Sequence, residues 1–515
     1  MEEINTSKKI IGKELYGYQQ DALEEIFKRF EEAPQDYHLL YQLPTGGGKT
    51  VIFSEIVRRY IENFNKKVLV LTHRIELSKQ TSKMLNEFGV KNKIINSTAV
   101  LDDQDNYSCF VAMVETLKNR LNDEKVDISD IGLVIVDEAH YNSFTKIFKF
   151  FDDAFILGVT ATPLSSNTKL PMYENYQELF VGESIQHLIE SDYLASANLY
   201  SYNVGLTSLE VGANGDYTVK SSEDLYTNTD MLSKLVSAYE ETAKGKKTLI
   251  FNNGINTSIQ VYHAFKKAGY AIAHLDNTNT KKEREFILKW FHKTPNAVLT
   301  SVSILTTGFD EPSIEAIILN RATKSLTLYY QMIGRGSRIY GDKNTFEVVD
   351  LGNNFHRFGA WGADLDWQKM FRSPDYYLDA ILSDEDIEST FRYELPSDVK
   401  KEFAKSKDTY FDMKKVYIDT IKAGESSKRV LEKSIEHHAI MCVENSEDIF
   451  DAIILARMLG EEIDDRINRY AKCISKSTHN FVTWLKDDYR KKLNAHLRSN
   501  FDEIFEDIFG YPPEE

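Results

Sequence analysis

The stretch YHLLYQLPTGGGKTVIFSEIVRRYIENF (37–64) contains three consecutive patterns that together decide the fold. Residues 37–43 are a short apolar run rich in aromatic and aliphatic side chains, which is typical of a buried strand. Residues 43–50, LPTGGGKT, form a glycine-rich turn. From Val51 onward, apolar residues recur three and four positions apart, as on one face of a helix. The stretch therefore predicts a strand, a glycine loop and a helix, the first unit of an α/β domain.

The glycine loop has the residue types needed to hold phosphate. Glycines let backbone N–H groups turn toward phosphate oxygens at a helix N-terminus, where the helix dipole favours negative charge. In this pattern Lys49 meets the β- and γ-phosphates, and Thr50 is a ligand of Mg²⁺. The general pattern has glycine at position 43, where this chain has leucine. The loop predicts an ATP site with Mg²⁺, and its contact residues are Thr45, Gly46, Gly47, Gly48, Lys49 and Thr50.

A second motif, VIVDEAH (134–140), ends another buried apolar run with two carboxylates. Carboxylates at the end of a strand are suited to a metal ion and to a water molecule beside the phosphates. We expect Asp137 to hold Mg²⁺ through its water shell. We expect Glu138 to orient and deprotonate the attacking water.

Apolar runs alternate with helical patterns along most of the chain. Continuous apolar runs, rather than alternating ones, indicate parallel strands that are buried on both faces. Two α/β units of similar composition stand in tandem, and beyond about residue 375 the patterns are helical. The further strand-like runs are 67–72, 108–114, 132–137, 154–160, 246–251, 270–276, 296–302, 315–320 and 345–352.

These patterns predict an α/β protein with two doubly wound parallel sheets and a C-terminal helical domain. The first domain is predicted over residues 1–202. Residues 203–228 are polar and contain an Asn-Gly turn signal, so they are interpreted as a linker with a hairpin. The second domain is predicted over 229–374 and the helical domain over 375–515.

Composition excludes several classes of protein. The chain has 515 residues and no apolar run of about 18, which argues against a transmembrane helix. Its N-terminus lacks the pattern of a signal peptide. Cys109, Cys442 and Cys473 are scattered, so neither a zinc finger nor a disulfide framework is expected, and a cytoplasmic location is predicted. The net charge of −17 disfavours a nucleic-acid partner, but about two-thirds of the excess lies beyond residue 340, which leaves room for a basic groove.

The order of motifs over residues 14–340 resembles that of the superfamily 2 helicases. This resemblance implies two RecA-like domains around an ATP cleft. The segments that carry it, besides the two described above, are YQQDA (18–22), THRIEL (72–77), AMVETL (112–117), VTATP (159–163), TLIFNNG (248–254), HLDNTNTKKERE (274–285), TTGFDEP (306–312) and QMIGRGSR (331–338).

The resemblance also implies roles for single residues. Gln19 faces the adenine base and Asp310 the ATP ribose. Thr160 and Thr162 link the ATP site to the nucleic acid, and His140 couples the first domain to Gln331. Contacts to the nucleic-acid backbone are implied for Arg74, Thr116, and Thr306 or Thr307.

The segment QMIGRGSR places two permanent cations beside an apolar run. The resemblance implies that Arg335 and Arg338 reach the γ-phosphate held by the distant glycine loop and stabilise the charge of the transition state. Gln331 is expected to contact the catalytic water or the DEAH motif. Gly334 and Gly336 are expected to keep the backbone slim where the two domains meet.

Several motifs resemble the branch that holds RadD-type repair helicases and the motor subunits of restriction enzymes. This favours DNA over RNA as the partner. RadD-type proteins usually carry a cysteine-rich zinc module, which this chain lacks, so its acidic helical C-terminus is a candidate surface for a protein partner. A duplex DNA translocase of a restriction or phage-defence system, an RNA helicase, and a scaffold with a decayed motor remain as alternatives.

Overall fold

The computed structural model describes most of the chain. The residues it describes are 14–34, 36–96, 106–123, 130–165, 170–206, 208–306, 309–375, 377, 381–384, 386–387, 395–407, 409–474 and 479–509. They form two compact units. The first lies within Met1–Val204 and Leu209–Ser383, and the second within Gly205–Ser208 and Asp384–Glu515.

The first unit begins with a seven-stranded parallel sheet in the order β3-β4-β2-β5-β6-β1-β7. Its strands are β1 His38–Gln42, β2 Lys67–Thr72, β3 Asn92–Ile95, β4 Cys109–Met113, β5 Ile131–Asp137, β6 Phe155–Thr160 and β7 Glu178–Val181.

A second parallel sheet in the same unit has six strands in the order β10-β11-β9-β12-β13-β8. Its strands are β8 Ser196–Ser201, β9 Thr248–Asn252, β10 Ile272–Leu275, β11 Val298–Ser301, β12 Ala316–Asn320 and β13 Thr345–Asp350. Two tandem parallel α/β sheets confirm the predicted fold class.

Helices connect and cover both sheets, as parallel strands require. They are α1 Gly17–Glu32, α2 Lys49–Phe64, α3 Ile75–Glu87, α4 Val114–Asn122, α5 Thr145–Phe148, α6 Ile185–Glu190, α7 Val219–Tyr226, α8 Thr229–Thr242, α9 Ile255–Lys267, α10 Lys281–Lys293, α11 Leu326–Ile333, α12 Asn354–Phe358 and α13 Trp367–Arg372.

The chain crosses to the second sheet earlier than the sequence predicted. Strand β8 lies before the expected boundary at residue 202, yet it pairs in parallel with β13 along its whole length. It is an edge strand with largely exposed side chains, so its sequence does not show the apolar run of a central strand.

Residues 209–228 of the predicted linker belong to the same compact unit as the second sheet. Val211 and Tyr217 form an antiparallel bridge, which is the hairpin that the Asn-Gly signal suggested. Asp216 in this hairpin accepts hydrogen bonds from the Thr323 hydroxyl at 2.8 Å and from the Lys324 backbone N–H at 2.8 Å. The hairpin therefore fixes the turn that leads into α11.

Helix α13 returns to the first sheet after the second sheet is complete. The Gln368 side chain donates to the carbonyl of Leu179 in β7 at 2.7 Å, and Phe371 joins the core beneath the first sheet. Residues 367–372 thus pack on the first sheet, although the sequence assigned them to the second domain.

The second unit is helical and has its own apolar core. Arg466, almost fully buried, donates to Glu462 and to the Ser434 hydroxyl, while Tyr489 contacts His438 at 2.9 Å. Among the described residues, no helix is long and apolar enough to cross a membrane. The helices of this unit are α14 Ser397–Glu402, α15 Met413–Lys422, α16 Lys428–Asn445, α17 Ile449–Met458, α18 Gly460–Cys473 and α19 His479–Phe509.

Candidate active site

The glycine loop joins β1 to α2 and ends at the N-terminus of that helix. Gly46 has φ +90° and Gly48 has φ +82°, backbone conformations that other residues rarely adopt. A Cβ at Gly48 would also lie 2.5 Å from Nε2 of Gln19, so another residue there would strain the backbone and displace the Gln19 side chain. The loop is therefore built to present its backbone closely to a ligand.

A cavity of about 470 Å³ opens between the two sheets at this loop. We call the part of this unit with the first sheet the first half and the part with the second sheet the second half. The first half contributes the loop, Asp137 at the end of β5 and Glu138 after it, and the second half contributes two arginines and residues 309 and 310. Its lining includes Thr45, Gly46, Gly48, Lys49, Thr50, Asp137, Glu138, Phe309, Asp310, Arg335 and Arg338. Most of the predicted ATP-site residues are thus brought into one cavity.

Lys49 is the first residue of α2 and is partly buried where the loop ends. Its Nζ donates to the carbonyls of Leu43 and Pro44 at 3.3 and 3.4 Å, which are long bonds that an anion can replace. Burial lowers the pKa of Lys49, while Glu138 and Asp137 oppose that change. Burial, together with the Glu138 charge, raises the pKa of Asp137 to about 7. A cation beside Asp137 would stabilise the ionised carboxylate and lower the pKa of Asp137 again.

Glu138 combines backbone strain with an unsatisfied carboxylate oxygen. Its φ of +55° is uncommon for a residue with a side chain and costs about 1–3 kcal/mol. Burial alone would raise its pKa, but Lys49, His140 and neighbouring cations hold the pKa below its ordinary value. Oε2 has no hydrogen-bond partner among the described residues and lies 3.4 Å from His140 Nδ1. The structure thus keeps an ionised carboxylate with a free acceptor at the cavity wall.

The two arginines reach the cavity in different ways. Arg335 is buried, and its guanidinium donates to the carbonyls of Thr306 at 3.1 Å and Phe309 at 2.7 Å. Burial and the charge of Arg338 lower the pKa of Arg335 to about 10, so it stays charged at neutral pH. Arg338 forms an ion pair with Asp310 at 2.9 Å. Arg335 is fixed by the backbone, whereas Arg338 has a side-chain partner that it can exchange.

The two halves touch closely beside the cavity. A Cβ at Gly334 would lie 2.6 Å from Thr45, so glycine is required where α11 ends against the glycine loop. Gly336 differs from the prediction, because its nearest neighbours are Phe346 and Ile317 of the second sheet. Its small size allows packing within its own half. A salt bridge from Arg284 on α10 to Glu76 on α3, at 3.1 Å, joins the halves elsewhere.

A second cavity, of about 370 Å³, also lies between the two halves. Arg74 follows β2 and lines one side, and Thr306 lines the other. His140 and Gln331 line it as well, whereas Gln331 does not line the first cavity. Gln331 therefore lines the cavity of the predicted nucleic-acid contacts and not the cavity at the glycine loop.

A chain of hydrogen bonds connects His140, two residues after Glu138, to the half that carries the second sheet. His140 Nδ1 contacts the Thr160 hydroxyl at 3.1 Å, and that hydroxyl donates to the Thr162 carbonyl at 3.0 Å. The Thr162 hydroxyl donates to the Thr327 hydroxyl at 2.8 Å. Within the described part of the chain, no hydrogen bond joins His140 to Gln331, although both line the second cavity. The Thr162–Thr327 bond joins the two halves.

Two of the predicted contact residues, Gln19 and Thr116, line neither cavity. Gln19 is buried beneath the loop, where its side chain donates to the Gly47 carbonyl at 3.3 Å and accepts from the Tyr16 backbone at 3.0 Å. Thr116 lies on α4 and lines neither cavity. Thr307 lies outside the described residues.

The second cavity also contains residues that the sequence analysis missed. Thr327 precedes Gln331 by four positions, so a search for neighbours on the same helical face would have found it. Asp216 and Lys324 line the cavity because the hairpin folds back onto the second sheet. The Asn-Gly signal predicted the hairpin but not where it packs.

Comparisons with known proteins agree with this geometry. Residues 12–165 match the family described as "Type III restriction enzyme, res subunit". Residues 228–340 match "Helicase conserved C-terminal domain". The two matched regions contain the glycine loop and the two arginines respectively.

Individual relatives extend the same likeness. A 51.5 kDa protein of Lactococcus phage (isolate 7-9) is 30% identical over 336 residues, which cover 64% of this chain and 69% of the relative. IRC3 of Saccharomyces cerevisiae, named as an ATP-dependent helicase, is 28% identical over 65% of this chain and 51% of its own length. The EcoAI type I restriction endonuclease subunit of Escherichia coli is 24% identical over 66% of this chain and 46% of its own. The chain thus spans about half the length of the latter two.

A solved structure shares the fold. The fragment of an HsdR subunit of a type I restriction enzyme from Vibrio vulnificus YJ016 has a TM-score of 0.53 and 22% identity, covering 68% of this chain and 66% of that one. Two RecA-like sheets face one cavity, which is lined by the glycine loop from one side and by two arginines from the other. The chain belongs to the superfamily 2 helicases, which are ATP-dependent enzymes acting on nucleic acid.

Proposed function

We propose that this helicase is a DNA motor that hydrolyses ATP with Mg²⁺ in the 470 Å³ cavity and moves along one strand held in the 370 Å³ cavity. One observation carries the proposal. The unsatisfied carboxylate of Glu138 and the fixed guanidinium of Arg335 come from opposite halves and line the same cavity as Lys49.

The donor set in the cavity fits a Mg²⁺ ion. Thr50 and Asp137 supply a hydroxyl and a carboxylate, both of which are oxygen ligands of the kind Mg²⁺ prefers. The raised pKa of Asp137 supports this assignment, because burial there disfavours the bare anion and a cation would compensate. When bound, the ion supplies positive charge to the phosphate oxygens.

The protein side chains would then act on ATP and water. Backbone N–H groups of Gly46–Thr50 and the Lys49 ammonium bind the phosphates. The Glu138 carboxylate orients a water molecule and accepts its proton as that water attacks the γ-phosphorus. The bond from the γ-phosphorus to the β,γ-bridging oxygen breaks, and ADP and phosphate are the products. Arg335 and Arg338 donate to the charge that develops on the transferred group. We propose that Asp310, freed from Arg338, binds the ribose hydroxyls, and that Gln19 supports the base end through Gly47.

Opening and closing of the cleft would couple this chemistry to movement. The bonds from His140 through Thr160 and Thr162 to Thr327 run from beside Glu138 into α11, which carries Gln331. Arg74 and Thr306 lie on opposite walls of the second cavity, where they would hold the strand backbone. A change at the phosphates therefore has a direct physical path to the strand site.

The preference for DNA is supported by the resemblance to restriction-enzyme motors, since restriction enzymes act on DNA. The same resemblance favours a second candidate, translocation along duplex DNA without strand separation. RNA is the remaining alternative substrate.

An ATPase assay with single-stranded DNA, duplex DNA and RNA side by side tests the proposal. Stimulation by single-stranded DNA, together with displacement of a labelled strand from a tailed duplex, is the expected result. Stimulation by duplex DNA alone without displacement would favour the translocase. Stimulation by RNA in preference to both DNAs would contradict the DNA assignment.

A further inference from the structure

Helix α17, Ile449–Met458, is apolar on both of its sides. One side packs into the core of the helical unit through Ala452, Leu455 and Ala456. A helix that is apolar all round is ordinarily buried all round. In the described structure the other side of α17 is exposed to solvent, so it is a candidate surface for binding another molecule.

The outward side forms a continuous stripe. Phe450, Ile454 and Met458 are spaced four residues apart, and their exposed fractions are 74%, 55% and 37%. Residues at this spacing lie on one helical face, and the stripe is about 12 Å long. Ile440, on the preceding helix α16, is also 56% exposed. Contiguous apolar surface of this kind marks an interaction site more often than isolated exposed residues do.

Acidic side chains border the stripe. Glu444 and Glu447 precede the helix and Asp451 lies on its first turn, and all three are exposed. None of them forms an ion pair with another residue that the structure describes. Asp448 caps the helix by accepting from the backbone N–H groups of Phe450 and Asp451. Arg457 is the one cation within residues 444–458, which also contain four acidic residues, so this stretch carries a net negative charge.

We propose that this face of α17 binds an amphipathic helix of a protein partner, with apolar residues along its centre and lysine or arginine along its borders. An apolar stripe accepts side chains spaced three and four residues apart on a second helix. The unpaired carboxylates complement basic borders, which sets the orientation and speeds association.

The same charges argue against other occupants. A second copy of this chain would bring Glu444, Glu447 and Asp451 close to their own counterparts, and like charges in an interface are costly. Nucleic acid and anionic lipid would meet the same repulsion. A basic helix is the occupant that satisfies both the apolar stripe and its border.

A pair of synthetic peptides tests the proposal with the full chain. Each peptide has about 18 residues, long enough to form a helix, and carries fluorescein and a leucine face. One has lysine along its borders and the other glutamate. We expect fluorescence anisotropy to show binding of the lysine peptide and at least about tenfold weaker binding of the glutamate peptide.

Surface variants locate the binding. The double variant Phe450→Ser, Ile454→Ser should bind the lysine peptide at least about tenfold more weakly, because it removes two apolar contacts of the stripe. Both side chains are exposed, so the variant keeps the core of the helical unit intact. Phe286→Ser is the matched control, since Phe286 is 72% exposed on α10, and it should bind like wild type. Glu447→Lys with Asp451→Lys should reverse the preference between the two peptides.

Two results would overturn the proposal. Equal binding of the lysine peptide to wild type and to the Phe450→Ser, Ile454→Ser variant would place the interaction elsewhere. A wild-type dimer in sedimentation velocity that this variant dissociates would assign the face to a second copy of the chain. Because Phe450 and Ile454 lie outside the ATP cavity, neither result depends on the proposed DNA motor activity.

Discussion

Replacing Glu138 with glutamine should lower ATP turnover by about 10²–10⁴-fold while leaving the fold and ATP binding intact. The carboxylate is the proposed proton acceptor, and its Oε2 has no hydrogen-bond partner among the described residues. Lys49 and the neighbouring cations keep its pKa below the ordinary value against the effect of burial, so it is ionised at neutral pH. Glutamine keeps the size of the side chain but cannot accept the proton.

Steady-state phosphate release and equilibrium binding of a fluorescent ATP analogue, measured on the same variant, separate the two effects. Glu62→Gln is the matched control, because Glu62 is an exposed glutamate on α2 that pairs with Arg58. It should turn over ATP like wild type. If Glu138→Gln releases phosphate at the wild-type rate, the proton acceptor is another group.

Replacing Arg338 with alanine should reduce kcat by at least about 100-fold and change ATP binding much less. Arg338 pairs with Asp310 at the mouth of the cavity, and that pair can open when phosphate offers more negative charge. A contact made mainly in the transition state affects turnover rather than binding. Arg338→Lys should restore only part of the rate, because a lysine lacks the planar two-pronged donor.

Asp310→Asn distinguishes this role from a purely structural ion pair. The variant breaks the pair but keeps the arginine, so it should raise KM for ATP through the proposed ribose contact and leave kcat nearly unchanged. Equal losses of kcat and of ATP affinity in Arg338→Ala would instead show that Arg338 holds the cleft together.

The central strands were predictable from the sequence because they are buried on both faces. The apolar runs 37–43, 132–137 and 154–160 became β1, β5 and β6, whose residues are almost all buried. Strands β3, β7 and β8 were not predicted. Each lies at the edge of a sheet with partly exposed side chains, so each lacks the apolar run.

The site shows the same division between local and distant information. The glycine loop and the DEAH motif could be read directly, because loop and helix, or strand and carboxylates, are adjacent in sequence. The hydrogen bond that links the two halves could not be predicted from the sequence. Thr162 and Thr327 are 165 residues apart and meet only because two sheets face each other. Arg335 is held by two backbone carbonyls, which no side-chain pattern reveals.

A reversible cross-link between positions 162 and 327 tests directly whether repeated ATP turnover requires the two halves to reopen after each hydrolysis. The hydroxyl oxygens of Thr162 and Thr327 are 2.8 Å apart, so cysteines at both positions bring two sulfurs within reach of a disulfide. Cys473 is replaced by serine in this variant because it is partly exposed and could form other disulfides, whereas Cys109 and Cys442 are buried.

Under oxidising conditions we expect steady-state ATP turnover to fall at least about tenfold and to recover on reduction, while one turnover per enzyme is retained, because the locked cleft cannot release product. Single-cysteine variants should not respond to oxidation. If the fully cross-linked enzyme hydrolyses ATP as fast as the enzyme with the disulfide reduced, and nucleic acid stimulates both equally, the two halves need not reopen for turnover.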